Sequence, residues 1–375
     1  MFTDPVEWLL LARALGYEPH APVAGYGTLA SFRHLKRAMG PRSTAAPSFA
    51  TWLYGVRGGV EGIVLHYATG SGRSRRTWTA AIARLDPPLF IGASICAEAW
   101  LSDLFGGADV QLGVPAFDAE LRLGALDPQR LRALLWPHDA EGTQLLQALV
   151  RGTRAGMHVT DSTVAFQLSG LVTDAAQVAG ALDEAAWVAA ALGRRRAALA
   201  PSPGEAAIQG EWRAFADSMN LSFDPAHMRI EGEVRGTHVQ VALETNGGRV
   251  QTAVAVRWPR ALEGTVRVRK AGALAFLTEL FGGDIKTGDR AFDDAFAVQG
   301  HPEPWVRHVF ASQVLRDMLR GVAAFADEVT FDQEGAFWLW PVPAVRASDL
   351  DGHVTTALRA SEAIFGAIEG VGPYR

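Results

Sequence analysis

The chain has 375 residues, 49% of them apolar and 20% charged, with a formal net charge of -5. That is enough apolar material for a sizeable core and, at this length, for two domains, while the negative balance excludes a global basic field that would gather nucleic acid. One cysteine, Cys96, excludes an intrachain disulfide framework and the C-x-x-C metal patterns.

The N-terminal segment carries Asp4 and Glu7 where a secretion signal needs a basic stretch. No apolar run of about 18 residues is free of charges and helix breakers, so no transmembrane segment is expected. A cytoplasmic protein without a cofactor is the expectation. The first predicted helix spans Glu7 to Gly16, with Trp8, Leu11, Ala12 and Leu15 at i, i+3, i+4 and i+7. It has a twin at Glu211 to Asn220, where Glu211-Trp212 repeats Glu7-Trp8 at an offset of 211 − 7 = 204. Further on, Gly55 and Gly59 match Gly232 and Gly236 at an offset of 232 − 55 = 177. The difference, 204 − 177 = 27 residues, is an insertion in the first half between about residues 20 and 50. Within it, Arg33, Lys36 and Arg37 belong to a short basic segment with apolar positions at helical spacing. Such a helix can rest on an anionic surface or a partner, or pack on its own half with its charges in water.

Past these glycines the period changes to two. Val239, Val241 and Leu243 alternate with polar residues, Asn246-Gly247-Gly248 turns the chain, and Thr252 to Trp258 returns. Asn-Gly between such runs is a strong hairpin signal, because both turn residues can take positive φ. The first half repeats the hairpin from Gly62 to Thr69 and Thr77 to Arg84. Its turn is basic: Arg73, Arg75 and Arg76 stand among glycines, a combination that can hold an anion or a partner. The turn joins two strands and opens no helix, so it is no phosphate-binding loop of the nucleotide-binding kind. A solvated tip is the plainer account.

A fourth strand is expected near Pro88 to Ile91 and near Gly264 to Val268. Then comes the most specific repeat: Leu104-Phe105-Gly106-Gly107 through Gly113 to Phe117-Asp118, matched by Leu280-Phe281-Gly282-Gly283 through Gly288 to Phe292-Asp293. Gly113 and Gly288 mark turns, and strands are expected to begin at Phe117 and Phe292. Asp284, Asp289, Asp293 and Asp294, with His301 beyond, invite an acidic catalytic or metal reading. The internal comparison weighs against it, since Asp289 stands opposite Val114 and Asp294 opposite Ala119. What both copies keep (Asp109 with Asp284, Asp118 with Asp293) are residues a turn needs.

A long helix is expected from Pro304 to Ala324, and its twin, opened by Asp127 and Pro128, should kink or split at Trp136-Pro137. Each half closes with two strands and a helix: Met157 to Asp161, Thr163 to Gly170 and Thr173 to Leu192, then Glu328 to Gln333, Gly335 to Val342 and Ser348 to Gly366. Phe337-Trp338-Leu339-Trp340 is apolar on both faces and should be buried on both. The fold class is therefore α+β, with two tandem pseudo-symmetric repeats. Each is an antiparallel sheet of about six to seven strands with N-terminal, long middle and C-terminal helices. The repeats occupy 1–200 and 205–375, with a linker over 193–206.

This ordered set resembles a widespread family of bacterial proteins to which no activity is attached. Its pattern is a Trp-bearing helix, G-x-x-x-G, a hairpin, then T-G-D-x-x-F-D-x-x-F-x-V before a long helix. The second half carries it through Gly232, Gly236, Thr252, Thr287, Gly288, Asp289, Phe292, Asp293, Phe296 and Val298, and the first half departs at Leu112, Val114 and Leu121. The resemblance implies the duplicated fold and no catalytic residue. A non-enzymatic binding or scaffold protein with a protein partner is the expectation. An enzyme with one acidic site in the second repeat and an anionic-membrane binder are the alternatives. Nucleic acid is not expected as a partner.

Overall fold

The structure is a computed structural model that describes residues 5–20, 52–69, 76–97, 108–136, 138–246, 249–270, 285–322, 326, 328–331 and 334–371. The chain divides into two compact units: Met1–Ala200 with Thr245–Arg249, and Pro201–Glu244 with Val250–Arg375. Both are α+β, and each is built on one antiparallel sheet.

In the first unit, α1 (Pro5–Leu15) leads to β1 (Glu18–His20), β2 (Trp52–Arg57), β3 (Val60–Thr69), β4 (Arg76–Arg84), β5 (Ser94–Ala97) and β6 (Ala108–Asp109). Then follow α2 (Pro115–Asp118), β7 (Leu121–Ala125), α3 (Pro128–Leu135), α4 (Ala140–Arg154), β8 (Met157–Thr160), β9 (Thr163–Ser169) and α5 (Ala175–Ala198). The strand order across the sheet is β1-β2-β3-β4-β9-β8-β5-β7-β6. One face, with Leu53, Val64, Ala81, Phe166, Val159, Ile95 and Leu123, shares a core with Leu11 of α1, Leu149 of α4 and Leu182 and Val188 of α5. The opposite face holds a second apolar cluster of Trp52, Leu65, Tyr67, Ala80, Ile82 and Ala165.

The second unit repeats this plan. Its elements are α6 (Pro203–Met219), β10 (Ser222–Asp224), β11 (Arg229–Val234), β12 (Thr237–Asn246), β13 (Arg249–Arg257) and β14 (Thr265–Lys270). They continue with α7 (Arg290–Ala295), β15 (Phe296–His301), α8 (Glu303–Phe310), α9 (Gln313–Val322), β16 (Glu328–Phe331), β17 (Gly335–Trp340) and α10 (Ala347–Val371). The order β10-β11-β12-β13-β17-β16-β14-β15 is that of the first sheet without its two-residue edge strand. Val254, Trp338, Val329, Val268 and Val298 form one paired row on the helix-covered face. All six residues of β17 are buried. Trp338 and Trp340 meet α10, through a 2.9 Å bond from Nε1 to Ser361 and a stack on His353, while Phe337 and Leu339 point the other way.

The halves also share details. Helix ends fold back alike: Tyr17 N–H donates to the Ala12 carbonyl and Leu221 N–H to that of Ala216. The Tyr17 side chain lies over β2 and β3, where a Cβ on Gly55 would meet its ring at 2.3 Å and one on Gly62 its hydroxyl at 2.2 Å. These two glycines are therefore a docking surface for an aromatic ring, and the first G-x-x-x-G match reflects close packing. Thr79 Oγ1 accepts the Val172 amide at 2.8 Å and Thr252 Oγ1 the Ala344 amide at 2.6 Å, so one threonine in each half pins the entry to the last helix.

Several sequence expectations are corrected. Among the described residues the sheets have nine and eight strands, more than about six or seven, because β1, β6 and β10 are edge strands too short to show a period. Pro88 to Ile91 is no strand: the chain wraps the buried carboxylate of Asp161, which accepts the amides of Ile91, Gly92 and Ala93. Phe117 and Phe292 lie in the short helices α2 and α7, and the strands start at Leu121 and Phe296. The middle helix is divided in both halves. It breaks at Trp136 to Asp139 in the first, around Pro137, and at Ala311-Ser312 in the second, where Ser312 Oγ accepts the Leu315 amide. The stretch expected to link the halves is mostly helix, since α5 runs to Ala198 and α6 starts at Pro203, capped by Ser202.

Candidate functional site

The turn between Ile285 and α7 is where the acidic motif falls. Asp293 sits in the helix and reaches back, accepting Thr287 N–H at 2.9 Å, Thr287 Oγ1–H at 2.8 Å and Gly288 N–H at 3.2 Å. In the first half Asp118 accepts Leu112 N–H at 2.7 Å and Gly113 N–H at 2.9 Å. Gly113 and Gly288 have φ of +80° and +85°, a backbone that disfavours a side chain, and the carboxylate collects the amides so exposed. Just before each turn the chain joins the sheet through Val110 N–H to Leu123 O and Ile285 N–H to Val298 O. The shared motif is a backbone device present twice.

Asp289 has its own set of partners. It caps α7 through the Phe292 amide at 3.1 Å and accepts from Arg320 Nη2 at 2.6 Å and Arg316 Nε at 3.2 Å. The Arg320 hydrogen bond first, then the Phe292 amide and Arg316, hold its carboxyl below the usual carboxylate range. Arg316 also donates to the Phe310 carbonyl, the last of α8, so Asp289 ties the helix break to the turn. Asp294 is exposed and pairs with Arg290 at 3.8 Å. Asp284 and the side chain of His301 lie outside the described residues. Asp289 and Asp293 thus share one turn, Asp293 held by two amides and a hydroxyl and Asp289 by an amide and two guanidinia.

The basic candidates fare differently. Arg76 is exposed at the start of β4, whereas Arg73, Arg75, Arg33, Lys36 and Arg37 lie outside the described residues. Among the described residues no three His, Cys, Asp or Glu side chains are grouped to hold a metal ion, and no helix is long and apolar enough to cross a membrane.

Two polar clusters escaped the sequence reading. At the β10–β12 edge, His227 Nδ1 lies 2.5 Å from Asp224 Oδ2, and His238 Nε2 lies 3.2 Å from Glu231. Burial would raise the Asp224 carboxyl, but the hydrogen bond and charge of His227 outweigh it and hold it low. The nearby hydroxyl of Ser222 donates to the Glu231 carbonyl at 2.8 Å, so the pair has no nucleophile aligned with it. The Asp-x-x-His spacing was the available signal. The second cluster lies where β14, β15 and β16 run side by side, on the face away from the buried valines. There Arg267 grips Glu328 through Nε at 2.9 Å and Nη2 at 2.7 Å, and Arg269 Nη2 is 3.4 Å from Gln299 Oε1. Its signal was Arg-x-Arg alternating with valines in one strand.

No protein-family model and no curated protein matches the sequence. Among solved structures, the chain is similar to the mycobacterial trehalose monomycolate transport factor A, TtfA, with 13% identity and a TM-score of 0.32, over 45% of this chain and 97% of that one.

Proposed function

We propose that this chain is a non-enzymatic binding or scaffold protein of the cytoplasm, in which a duplicated α+β unit presents its surfaces to a protein partner. The observation that carries this reading is the use to which the shared motif is put. Asp118 and Asp293 both close a turn, and Asp289, the acid unique to the second half, caps a helix and pairs with two arginines. Of these, Asp289 is held in its ionised form by Arg320, the Phe292 amide and Arg316, which makes it a poor acid or base at neutral pH.

The test has two arms. Wild type, Asp289→Asn and Asp293→Asn are assayed for turnover on a broad hydrolase and transferase substrate panel, and the full chain is cross-linked in its native cells. The reading predicts a stoichiometric cross-linked partner, retained by both variants, and no turnover that either variant abolishes. A turnover lost in folded Asp289→Asn would replace it with the acidic-site enzyme.

A further inference from the structure

The β14 face described above carries two arginines, two residues apart, and one carboxylate between them. Arg267 and Thr330 occupy both oxygens of Glu328, at 2.9, 2.7 and 3.3 Å. Register places Arg269 beside Ala297 on one flank and Glu328 on the other. Among the described residues its one hydrogen bond is the 3.4 Å contact to the neutral amide of Gln299, and the residue is half-buried. Burial, and then the charge of Arg267, pull its pKa below the usual guanidinium range, with Glu328 opposing. The group still stays charged, because arginine remains protonated in proteins. Arg269 thus shares a single carboxylate with Arg267, which holds both of its oxygens, so a second anion would balance the pair.

The first unit shows that the fold does not require this. There β5 takes the place of β14, between β8 and β7, and presents Ser94 and Cys96 on the corresponding face, with one exposed arginine, Arg122, a strand away. The arginine pair was added to, or kept in, one copy only.

We propose that Arg269, with Arg267 and Gln299, forms a binding site in the second unit for an oxyanion, the carboxylate or phosphate group of a small molecule or of a lipid. The guanidinium fork matches two oxygens of such a group, and Gln299 offers an amide donor beside it. This deepens the binding reading by naming a ligand chemistry.

Arginine Nε–Hε resonances of the full-length protein, assigned through Arg269→Lys and Arg267→Lys, report the site directly. Acetate, inorganic phosphate and dihexanoyl phosphatidic acid below its micelle concentration are titrated at constant ionic strength. The expected result is a saturable shift of the Arg269 resonance, with the Arg320 resonance unmoved. Arg269→Gln should weaken binding about tenfold or more, and Glu328→Gln, which removes the competing carboxylate, should tighten it about threefold. Tighter binding of the phosphatidic acid than of phosphate assigns a lipid headgroup, and equal binding assigns a free oxyanion. No saturable shift with any probe, or equal binding by folded Arg269→Gln, overturns the site. Neither outcome touches the cross-linking test, so the two readings fail separately.

Discussion

At the scale of single residues, burial decides which titrating groups matter. His66, on β3, packs at a tilt against Trp8 of the first helix, ring centroids 4.4 Å apart, and its Nε2–H donates to the Val172 carbonyl at 3.1 Å. Burial pulls its pKa from 6.5 down to about 4, against the opposing effect of that carbonyl. The folded state therefore binds fewer protons than the unfolded state between those values. Stability from the neutral ring is complete above pH 6.5 and is lost as pH falls towards 4, by at most about 3 kcal/mol. Urea denaturation of the first unit's transition at pH 7.5 and pH 4.5 should show this loss, and His66→Gln should remove most of it. An unchanged pH slope in the variant would mean that His66 is not the group responsible.

Elements are held by what closes their ends. Arg195, buried in α5, donates to the Leu134 carbonyl at 2.5 Å and the Trp136 carbonyl at 2.7 Å, and pairs with Asp139, the cap of α4, at 3.2 Å. It thus satisfies the C-terminus of one helix and steadies the start of the next, on either side of the break that Pro137 forces. Arg195→Ala strips the guanidinium from both carbonyls, of which that of Trp136 keeps the His138 amide at 2.9 Å, and should cost about 2 kcal/mol by denaturant titration, with Arg195→Lys recovering part. A cost below about 0.5 kcal/mol would show that solvent supplies the same bonds. This arginine marks the boundary of what the sequence could tell. Proline at 137 signals a break in any context, because it lacks a donor and clashes with the preceding turn. The break at Ala311-Ser312 has no proline; it rests on Ser312 and on the long-range reach of Arg316, which local pattern cannot see. The same division explains Pro88 to Ile91, where the residues look strand-like but the distant Asp161 takes their amides. Alternation in β12 and β13 was legible because valines face the core directly. The arginines of β14 alternate with valines in one strand, and only the pairing of β14 with β15 and β16 places a single carboxylate, Glu328, beside both.

For the whole molecule, the account rests on one α+β unit used twice. The sheets share a strand order, a helix-closing residue over the first strands, a threonine latch before the last helix, and an aspartate-closed turn. Those shared features preserve shape in both copies, while the differences (the aspartate cap of α7 with its two arginines, the arginine pair of β14) are where the copies are free to acquire separate roles. Aspartate in the turn is the part of this claim most open to trial. It is tested by amide hydrogen exchange of the full chain carrying Asp118→Asn or Asp293→Asn. The account predicts faster exchange near residues 112–113 in the first variant and 287–288 in the second, each confined to its own turn and the adjoining strand, with oxyanion binding at Arg269 unchanged in the first. Unaltered exchange in both variants, with a partner or substrate lost instead, would contradict it.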